Sequence, residues 1–277
     1  MTLTRTAVLD LLAANGLRPS RALGQHFVVD PNTVRRIARL AEVGPGTRVL
    51  EIGAGVGSLT LALAETGAEV LAVELDRHLL PVLRSVVEPA GVTVVHGDAL
   101  RLDWAAVLGG EGPWVLVANL PYNVATPLVL DLLEKAPMIG RMLVMVQREA
   151  GERLAAGAGH PAYGAVSVKV AYRAEAAVVG RVPATVFLPP PNVESVLVSV
   201  VRREEPAVTV DERRFFALVE AGFAHRRKML RRALAGMVGE DEFATAGVRP
   251  EARAEELGVA EWGKLASCTP SNEPSPS

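Results

Sequence analysis

The amino-acid sequence predicts an α/β protein with a doubly wound sheet and a smaller, all-helical C-terminal domain. Short apolar, β-branched segments alternate with helical segments through residues 1–204, which is typical of βαβ units. The first four strand segments each end in glycines or a polar side chain, and open parallel sheets bind ligands beyond such strand ends. From Asp211 onward the apolar spacing is helical. We therefore predict an α/β domain over 1–204, a helical domain over 205–266 and a disordered Pro/Ser-rich tail over 267–277.

Composition and charge exclude several classes of protein. With 277 residues, 49% of them hydrophobic, the chain can build a sizeable core, yet it has no apolar run long enough to span a membrane. The N-terminal segment carries Asp10 and lacks an apolar stretch followed by a cleavage site, so we expect no signal peptide. A single cysteine, Cys268, excludes an internal disulfide framework, and no Cys/His cluster indicates zinc. We expect a cytoplasmic protein that needs no metal.

The N-terminal segment predicts two helices separated by a polar loop. Apolar residues recur at helical spacing over residues 4–15, and Gly16 suits the end of that helix. The polar loop leads to His26. A second helix then begins with Asp30 as its N-cap and Pro31 as its first residue. A loop that simply packs on the core is the alternative to a functional role for His26.

A glycine-rich turn follows the first strand of the predicted main sheet. Val49–Ile52 forms the strand, Gly53, Gly55 and Gly57 lie in the turn, and a helix begins at Ser58. Glycine lets the backbone adopt positive φ and approach a ligand closely. The spacing G-x-G-x-G differs by one residue from the G-x-G-x-x-G of nicotinamide dinucleotide sites. The turn therefore predicts a ligand-binding strand end that departs from the nicotinamide pattern.

Acidic side chains end the next two strands. Glu74 closes the strand 69–76 and lies about twenty residues after the glycine turn, where a carboxylate is expected to bind ribose hydroxyls. Asp98 follows the strand 92–96 and can accept a hydrogen bond from the adenine amine of a cofactor. The alternatives are a solvated strand end for Glu74 and a turn cap for Asp98.

The strand Val115–Ala118 ends at Asn119-Leu120-Pro121-Tyr122, and we place the chemistry there. The Asn119 amide oxygen can accept a hydrogen bond from an exocyclic amine, Pro121 stiffens the loop, and Tyr122 offers a flat face on which a base can stack. These groups suit an adenine whose N6 amine is alkylated. The alternative is a strand that ends in an ordinary Asn-x-Pro turn.

The segment between this motif and the helical domain completes the predicted sheet. We predict helices at 127–135 and 148–156 and strands at 141–147, 176–182 and 196–201, whereas 165–172 fits either a helix or a strand. Phe187 precedes three consecutive prolines, which hold an extended, stiff loop that can present its ring to a ligand. A proline-rich connector is the alternative. Residues 202–206 are typical of a domain linker.

The helical domain carries the densest basic cluster of the chain. A helix over 212–224 precedes the cluster Arg226, Arg227, Lys228, Arg231 and Arg232, and a final helical piece follows at 249–266. From residue 202 to 232 we count nine Lys/Arg against five Asp/Glu, although the net charge of the whole chain is −2. Contact with nucleic-acid phosphates is one explanation of the cluster. A solvated charged face is the other.

Six motifs occur in order along the chain: GQHF, EIGAGVGSLT, VELD, GDAL, NLPYNVATP and FLPPPNVESVLV. The set resembles the ribosomal RNA adenine dimethyltransferases, in particular the small-subunit (16S) enzymes whose loss gives kasugamycin resistance. The resemblance extends over about residues 21–264. It implies a Rossmann-like methyltransferase sheet, S-adenosylmethionine as cofactor and an RNA-binding role for the helical domain. The implied reaction is dimethylation of N6 on two adjacent adenines in a hairpin loop near the 3′ end of 16S rRNA. The implied partner is the small ribosomal subunit or its precursor, and we expect a monomer.

The resemblance also implies roles for individual residues. Those that match the cofactor motifs of the family are His26, Val28, Gly53, Gly55, Glu74 on the ribose, Asp98 near the adenine and Asn119 beside the methionine. Those that match its base site are Asn119, Leu120, Tyr122 and Phe187, with the target adenine held between Tyr122 and Phe187. The family more often has Gln-Asn-Phe-Leu where this chain has Gln25-His26-Phe27-Val28. Backbone contacts are therefore expected there, and the role of the His26 side chain stays open.

Three other functions remain as alternatives. A large-subunit adenine methyltransferase of the macrolide-resistance type shares the chemistry, but the triple proline and the basic helical domain favour the small-subunit enzyme. An assembly factor with secondary catalysis fits the same binding features. A nicotinamide oxidoreductase is disfavoured by the glycine spacing.

Overall fold

The computed structural model describes residues 2–20, 22–109 and 112–268, and the chain divides into two compact units. The sheet unit comprises the chain up to Glu152 together with Ala176–Arg202. The helical unit comprises Arg153–Glu175 and the described residues from Arg203 to Cys268. The predicted linker at 202–206 coincides with the last change of unit.

This division differs from the predicted continuous domain 1–204, because residues 153–175 belong to the helical unit. The cause is a shared apolar core. Tyr163, Val168 and Tyr172 are buried in one cluster with Phe215 and Trp262, and burying such large side chains together stabilises the helical unit. The middle segment therefore completes the core of the C-terminal helices.

Among the described residues, seven strands form one sheet and two short strands form another. The strands are β1 (Phe27–Val28), β2 (Arg48–Ile52), β3 (Glu69–Glu74), β4 (Thr93–His96), β5 (Trp114–Asn119), β6 (Ile139–Gln147), β7 (Ala174–Val182), β8 (Phe187–Leu188) and β9 (Ser195–Arg202). The order in the large sheet is β4-β3-β2-β5-β6-β9-β7; the strands from β2 to β6 are parallel to one another, and β9 is antiparallel to β6. β1 and β8 pair antiparallel. The predicted doubly wound α/β fold is confirmed.

Helices connect the strands and make up the helical unit. They are α1 (Arg5–Ala14), α2 (Pro31–Leu40), α3 (Ser58–Ala64), α4 (Leu80–Val87), α5 (Trp104–Leu108), α6 (Ala125–Lys135), α7 (Arg148–Ala155), α8 (Ala165–Arg173), α9 (Glu212–Ala224), α10 (Leu230–Ala233), α11 (Glu240–Ala246) and α12 (Val259–Cys268). Asp30 caps α2 as predicted, since its carboxylate accepts a hydrogen bond from the Thr33 amide. The segment 165–172, for which the sequence left a helix or a strand open, is helical.

Two predictions near the C-terminus need correction. The helical piece expected over 249–266 is interrupted, because α11 ends at Ala246 and α12 begins only at Val259. The disordered tail was expected from residue 267, but Ser267 and Cys268 belong to α12. The rest of that predicted tail, 269–277, lies outside the described residues. Within the described ranges no helix has the length and apolar character needed to cross a membrane.

The strand order creates a crevice at one edge of the large sheet. The chain proceeds from β2 outward through β3 to β4, and then returns to the other side of β2 for β5 and β6. The helices that follow β2 and β5 consequently pack on opposite faces of the sheet. The space between these two helices is left open at the carboxyl ends of β2 and β5. The sequence motifs at those strand ends therefore share one location.

Candidate active site

A cavity lies at the carboxyl ends of β2, β3, β4 and β5. Its lining includes Gly53, Glu74, Asp98 and Asn119, which are the residues predicted from four separate strand ends. His26 and Val28 also line it, from the N-terminal segment. The Val28 side chain is buried in the apolar core, so its backbone is what it can offer a ligand.

The glycine turn after β2 is closed against β3 and β1. Gly55 has φ +60°, and a Cβ at this position would lie 2.9 Å from the ring of Phe27. Its amide donates a hydrogen bond of 2.7 Å to Oε2 of Glu74. The positive φ and the nearby Phe27 ring require glycine here, because a side chain would strain the backbone and displace Phe27. These contacts fix the turn, and its backbone lines the cavity without a side chain in the way.

Glu74 has a structural role beside the predicted one. Its side chain is buried, and it accepts hydrogen bonds from the Gly55 amide and, at 2.8 Å, from the Asp76 amide. Burial raises the pKa of its carboxyl, and these hydrogen bonds oppose that rise. A carboxylate has about four acceptor sites. Two remain for a pair of ligand hydroxyls.

Asp98 is both a turn residue and a cavity residue. Oδ1 accepts a hydrogen bond of 3.1 Å from the Leu100 amide, and Oδ2 pairs with Arg101 at 3.4 Å. The turn-cap alternative is therefore realised, while the residue also lines the cavity. A ligand amine at this position would share the carboxylate with Arg101.

Glu51 is a cavity residue that the sequence analysis did not single out. It lies on β2, is 2% exposed, and its Oε2 has no hydrogen-bond partner among the described residues. Burial raises the pKa of this carboxyl to about 8; the Thr60 hydroxyl opposes the rise and the neighbouring Glu74 adds to it. The available signal in the sequence is a single acidic residue within the apolar strand RVLEI.

We expect Glu51→Gln to change the pH dependence of stability. The folded carboxyl has a pKa of about 8, against 4.5 for an ordinary glutamate, so between these values the folded protein retains a proton that the unfolded chain loses. The contribution of Glu51 to the stability of the parent therefore falls as pH rises from about 4.5 to about 8 and is constant beyond. Glutamine stays neutral, so the variant should not show this loss. Urea unfolding across that range measures the difference, with the exposed Glu69→Gln as matched control. Parallel curves for parent and Glu51→Gln would contradict the assignment.

Asn119 ends β5 with its amide group oriented by the N-terminal segment. Its Nδ2 donates a hydrogen bond of 2.9 Å to the carbonyl of His26. The amide oxygen is consequently the atom that Asn119 can offer to an incoming N–H group. Leu120, the next residue, has a buried side chain, so its backbone carbonyl is what it can offer.

Tyr122 is held at its hydroxyl and on one face of its ring. Its hydroxyl lies 2.8 Å from Oγ of Ser195, and its ring stacks on the imidazole of His26 with 5.5 Å between centroids and 23° between planes. Burial raises the pKa of the phenol, which therefore stays neutral near pH 7. A partly buried, fixed ring of this kind suits the stacking of a flat ligand.

In the structure the ring of Phe187 does not extend from a proline-stiffened loop toward the cavity, and its role in stacking on the target adenine stays a prediction. Phe187 is 0% exposed, belongs to β8 and pairs with Val28 of β1. Its ring packs in the apolar core with Val28 and Ile37, and it does not line the cavity. The physical reason is the large apolar area that a phenyl ring removes from water when buried. The structure brings Tyr122 to the site but not Phe187.

The predicted basic cluster lies in the helical unit and divides into two kinds of side chain. Arg226 pairs with Glu255 at 2.6 Å and donates to the Pro161 carbonyl, and Arg231 lies 3.4 Å from Glu251. Arg227, Lys228 and Arg232 are exposed, and their side chains form no ion pair or hydrogen bond within the described part of the chain. Phosphates would therefore meet three unpaired cations and two partly neutralised ones.

Comparisons with known proteins agree with the geometry. A model of the family described as ribosomal RNA adenine dimethylase matches residues 17–269. The small-subunit rRNA methyltransferase A of Streptomyces coelicolor is 49% identical, covering 94% of both chains. The relative of the same name from Acidothermus cellulolyticus is 46% identical, covering 95% of this chain and 93% of its own.

Solved structures of similar proteins have the same fold. The crystal structure of the 23S rRNA methyltransferase ErmE superposes with a TM-score of 0.70 at 26% identity, covering 87% of this chain and 98% of its own. A dimethyladenosine transferase from Plasmodium falciparum gives a TM-score of 0.72 at 23% identity, covering 87% of this chain and 96% of its own. The family match spans nearly the whole chain and contains every strand-end motif described above. The chain therefore belongs to the ribosomal RNA adenine dimethylase family and is an rRNA adenine dimethyltransferase.

Proposed function

We propose that this enzyme transfers methyl groups from S-adenosylmethionine to N6 of two adjacent adenines in a hairpin loop near the 3′ end of 16S rRNA. The substrate would be the small ribosomal subunit or its precursor, in the cytoplasm, with the enzyme acting as a monomer. The observation that carries the proposal is the single cavity that joins a glycine turn and two carboxylates to Asn119 and Tyr122. A nucleoside-containing cofactor and a target base would each find matching groups there.

The cofactor fits the residues that line the cavity. Glu74 retains acceptor sites for the two ribose hydroxyls, and Asp98 can accept from the adenine amine. Glu51 has an unpartnered carboxyl oxygen, and its carboxyl would ionise once the ammonium group of the cofactor's methionine lies beside it, so that each buried charge has a partner. Gly53 and Gly55 keep side chains out of the turn, and the backbone at His26 and Val28 completes the lining.

The chain's own groups prepare the adenine amine for attack. The N6 lone pair is delocalised into the ring, so the amine is a weak nucleophile. The Asn119 amide oxygen and the Leu120 carbonyl would accept its two N–H groups and favour a pyramidal nitrogen. Tyr122 would hold the base plane by stacking. The sulfonium is already an activated methyl donor, so the transfer needs positioning rather than a covalent enzyme intermediate. One N–H remains after the first transfer, which allows a second.

The curated relatives support the small-subunit substrate over the large subunit. The curated relatives at 46–49% identity are named small-subunit methyltransferases, whereas the 23S enzyme is 26% identical. The helical unit carries the exposed cations Arg227, Lys228 and Arg232 that a large RNA substrate would contact. An assembly factor with secondary catalysis stays as the second candidate, because the same surface would serve binding alone.

The proposal is tested with ribosomal subunits that lack the modification. Unmethylated small subunits and, in parallel, large subunits are incubated with the enzyme and methyl-labelled S-adenosylmethionine, and the modified bases are mapped. We expect label on two adjacent adenines of 16S rRNA, with two methyl groups on each, and none on the large subunit. Label on 23S rRNA, or no label on either subunit, would overturn the proposal. Asn119→Ala, tested for subunit binding, separates catalysis from an assembly role.

The two kinds of cation in the basic cluster predict different responses to neutralisation. The double variant Arg227→Gln/Arg232→Gln should weaken subunit binding. The slope of log affinity against log salt concentration should become shallower by about 1–2, because fewer phosphate contacts mean that fewer counterions are released on binding. The matched variant Arg226→Gln/Arg231→Gln removes the same charge from side chains already paired with glutamates. Its effect on the salt slope should be clearly smaller. Filter binding at several salt concentrations measures both, and equal slopes would show that the pairing does not matter.

A further inference from the structure

His26 contacts both side chains that would hold the base, those of Tyr122 and Asn119. Its imidazole stacks on Tyr122, and its Nδ1 lies 2.7 Å from the carbonyl of Pro189. Its own carbonyl accepts the hydrogen bond from Nδ2 of Asn119. One residue thus touches the stacking ring, the catalytic amide and the proline loop.

The spacing of the two rings decides which face of Tyr122 is open. Stacked carbon atoms lie about 3.5 Å apart, so a base between two rings would need them about 7 Å apart. The centroids of His26 and Tyr122 are 5.5 Å apart, which leaves no room for a third ring. The imidazole therefore covers one side of Tyr122, and a target base has to use the other.

The imidazole is itself attached to a rigid part of the fold. His26 directly precedes β1, and Pro189 directly follows β8, so the contact between them extends the β1–β8 pair. The neighbouring Gln25 is also fixed, since its Nε2 donates a hydrogen bond of 2.9 Å to Asp76 at the end of β3. A support anchored in this way can restrict the rotation of a ring packed on it.

We propose that His26 is a positioning residue for methyl transfer, whose ring backs Tyr122 so that the stack in the loaded enzyme runs His26, Tyr122, target adenine. Tyr122 then has two supports, the imidazole on its face and Ser195 at its hydroxyl. The ring serves the base site, whereas the backbone of the same residue serves Asn119. This inference rests on the proposed methylation of adenine and assigns the side chain a task separate from cofactor binding.

Three substitutions separate the ring from its hydrogen bond. His26→Ala removes both, His26→Phe keeps a flat ring without the bond to Pro189, and His26→Asn keeps a polar side chain without a ring. All three retain the backbone carbonyl that orients Asn119. Single-turnover methylation of unmethylated small subunits gives the rate and the apparent affinity for subunits, and calorimetry gives the dissociation constant for S-adenosylmethionine.

We expect His26→Ala and His26→Asn to lower the rate at saturating substrate roughly tenfold, the size of one aromatic contact. His26→Phe should recover most of the rate, and the cofactor dissociation constant should stay within about twofold in all three variants. Recovery by phenylalanine distinguishes ring support from general damage to the loop.

Other outcomes would overturn the inference. A loss of cofactor affinity that parallels the loss of rate would assign the ring to the cofactor. Recovery by asparagine and not by phenylalanine would assign the effect to the bond with Pro189. Parental rates in all three variants would make His26 a packing residue. A parent protein that binds the cofactor but methylates no subunit would instead disprove the proposed function, which is a distinguishable result.

Discussion

Replacement of Asn119 by alanine is expected to lower the rate of methyl transfer by roughly 10²–10³-fold, the usual cost of removing a hydrogen bond aimed at charge that develops in a transition state. The side chain is oriented by its bond to the His26 carbonyl, so its oxygen is preorganised to accept from the adenine amine. As the nitrogen attacks, its N–H groups become more acidic and this hydrogen bond strengthens. The effect should therefore appear in the rate at saturating substrate.

Single-turnover methylation of unmethylated small subunits measures this rate. Asn123→Ala is the matched control, since Asn123 is an exposed amide in the same loop that does not line the cavity. The control should retain the parental rate. An Asn119→Ala enzyme that is folded and methylates at the parental rate would remove Asn119 from the chemistry.

Phe187→Ala is expected to destabilise the protein by about 3–5 kcal/mol, the range for truncating a fully buried phenylalanine. Its ring is buried in the core with Val28, and alanine would leave a cavity behind the β1–β8 pair. Phe187→Leu keeps most of the apolar volume and should cost less than about 1.5 kcal/mol. Phe187→Trp adds volume to a packed core and should cost about 1–3 kcal/mol.

Chemical denaturation at constant temperature measures these free energies of unfolding. Methylation by the folded Phe187→Leu variant provides the second measurement. Because the ring does not line the cavity, we expect near-parental activity from this variant. A stable Phe187→Leu protein with a strongly reduced rate would restore the idea that Phe187 stacks on the target adenine.

The strand-end residues of the site follow from the sequence alone. Gly53, Glu74, Asp98 and Asn119 each lie at or just after the end of a short strand segment, and parallel strands present their carboxyl ends at one edge of a sheet. Local periodicity is enough to recognise such runs. The caps of helices, such as Asp30, are predictable for the same reason, because a cap and the amide it binds are neighbours in the chain.

Local sequence patterns do not predict the burial of Glu51 or which segments make up the helical unit. A single acid in an apolar strand indicates burial only after the neighbouring layers are known. The same limit applies to residues 153–175, whose apolar spacing predicts an element but not the core that it joins. Which face is covered, and by which element, is a property of packing.

The surroundings of Phe187, His26 and the paired arginines depend on contacts between distant parts of the chain. His26 and Pro189 are 163 positions apart, and Arg226 and Glu255 are 29 apart, so no local pattern links either pair. The proline run correctly indicates a stiff segment, but pairing of β8 with β1 turns the ring of Phe187 into the core. Local patterns along the chain were therefore sufficient to predict the fold class, the strand ends that line the cavity and the family. Long-range packing determined which side chains reach the cavity, because burial of apolar area selects partners that spacing along the chain does not encode.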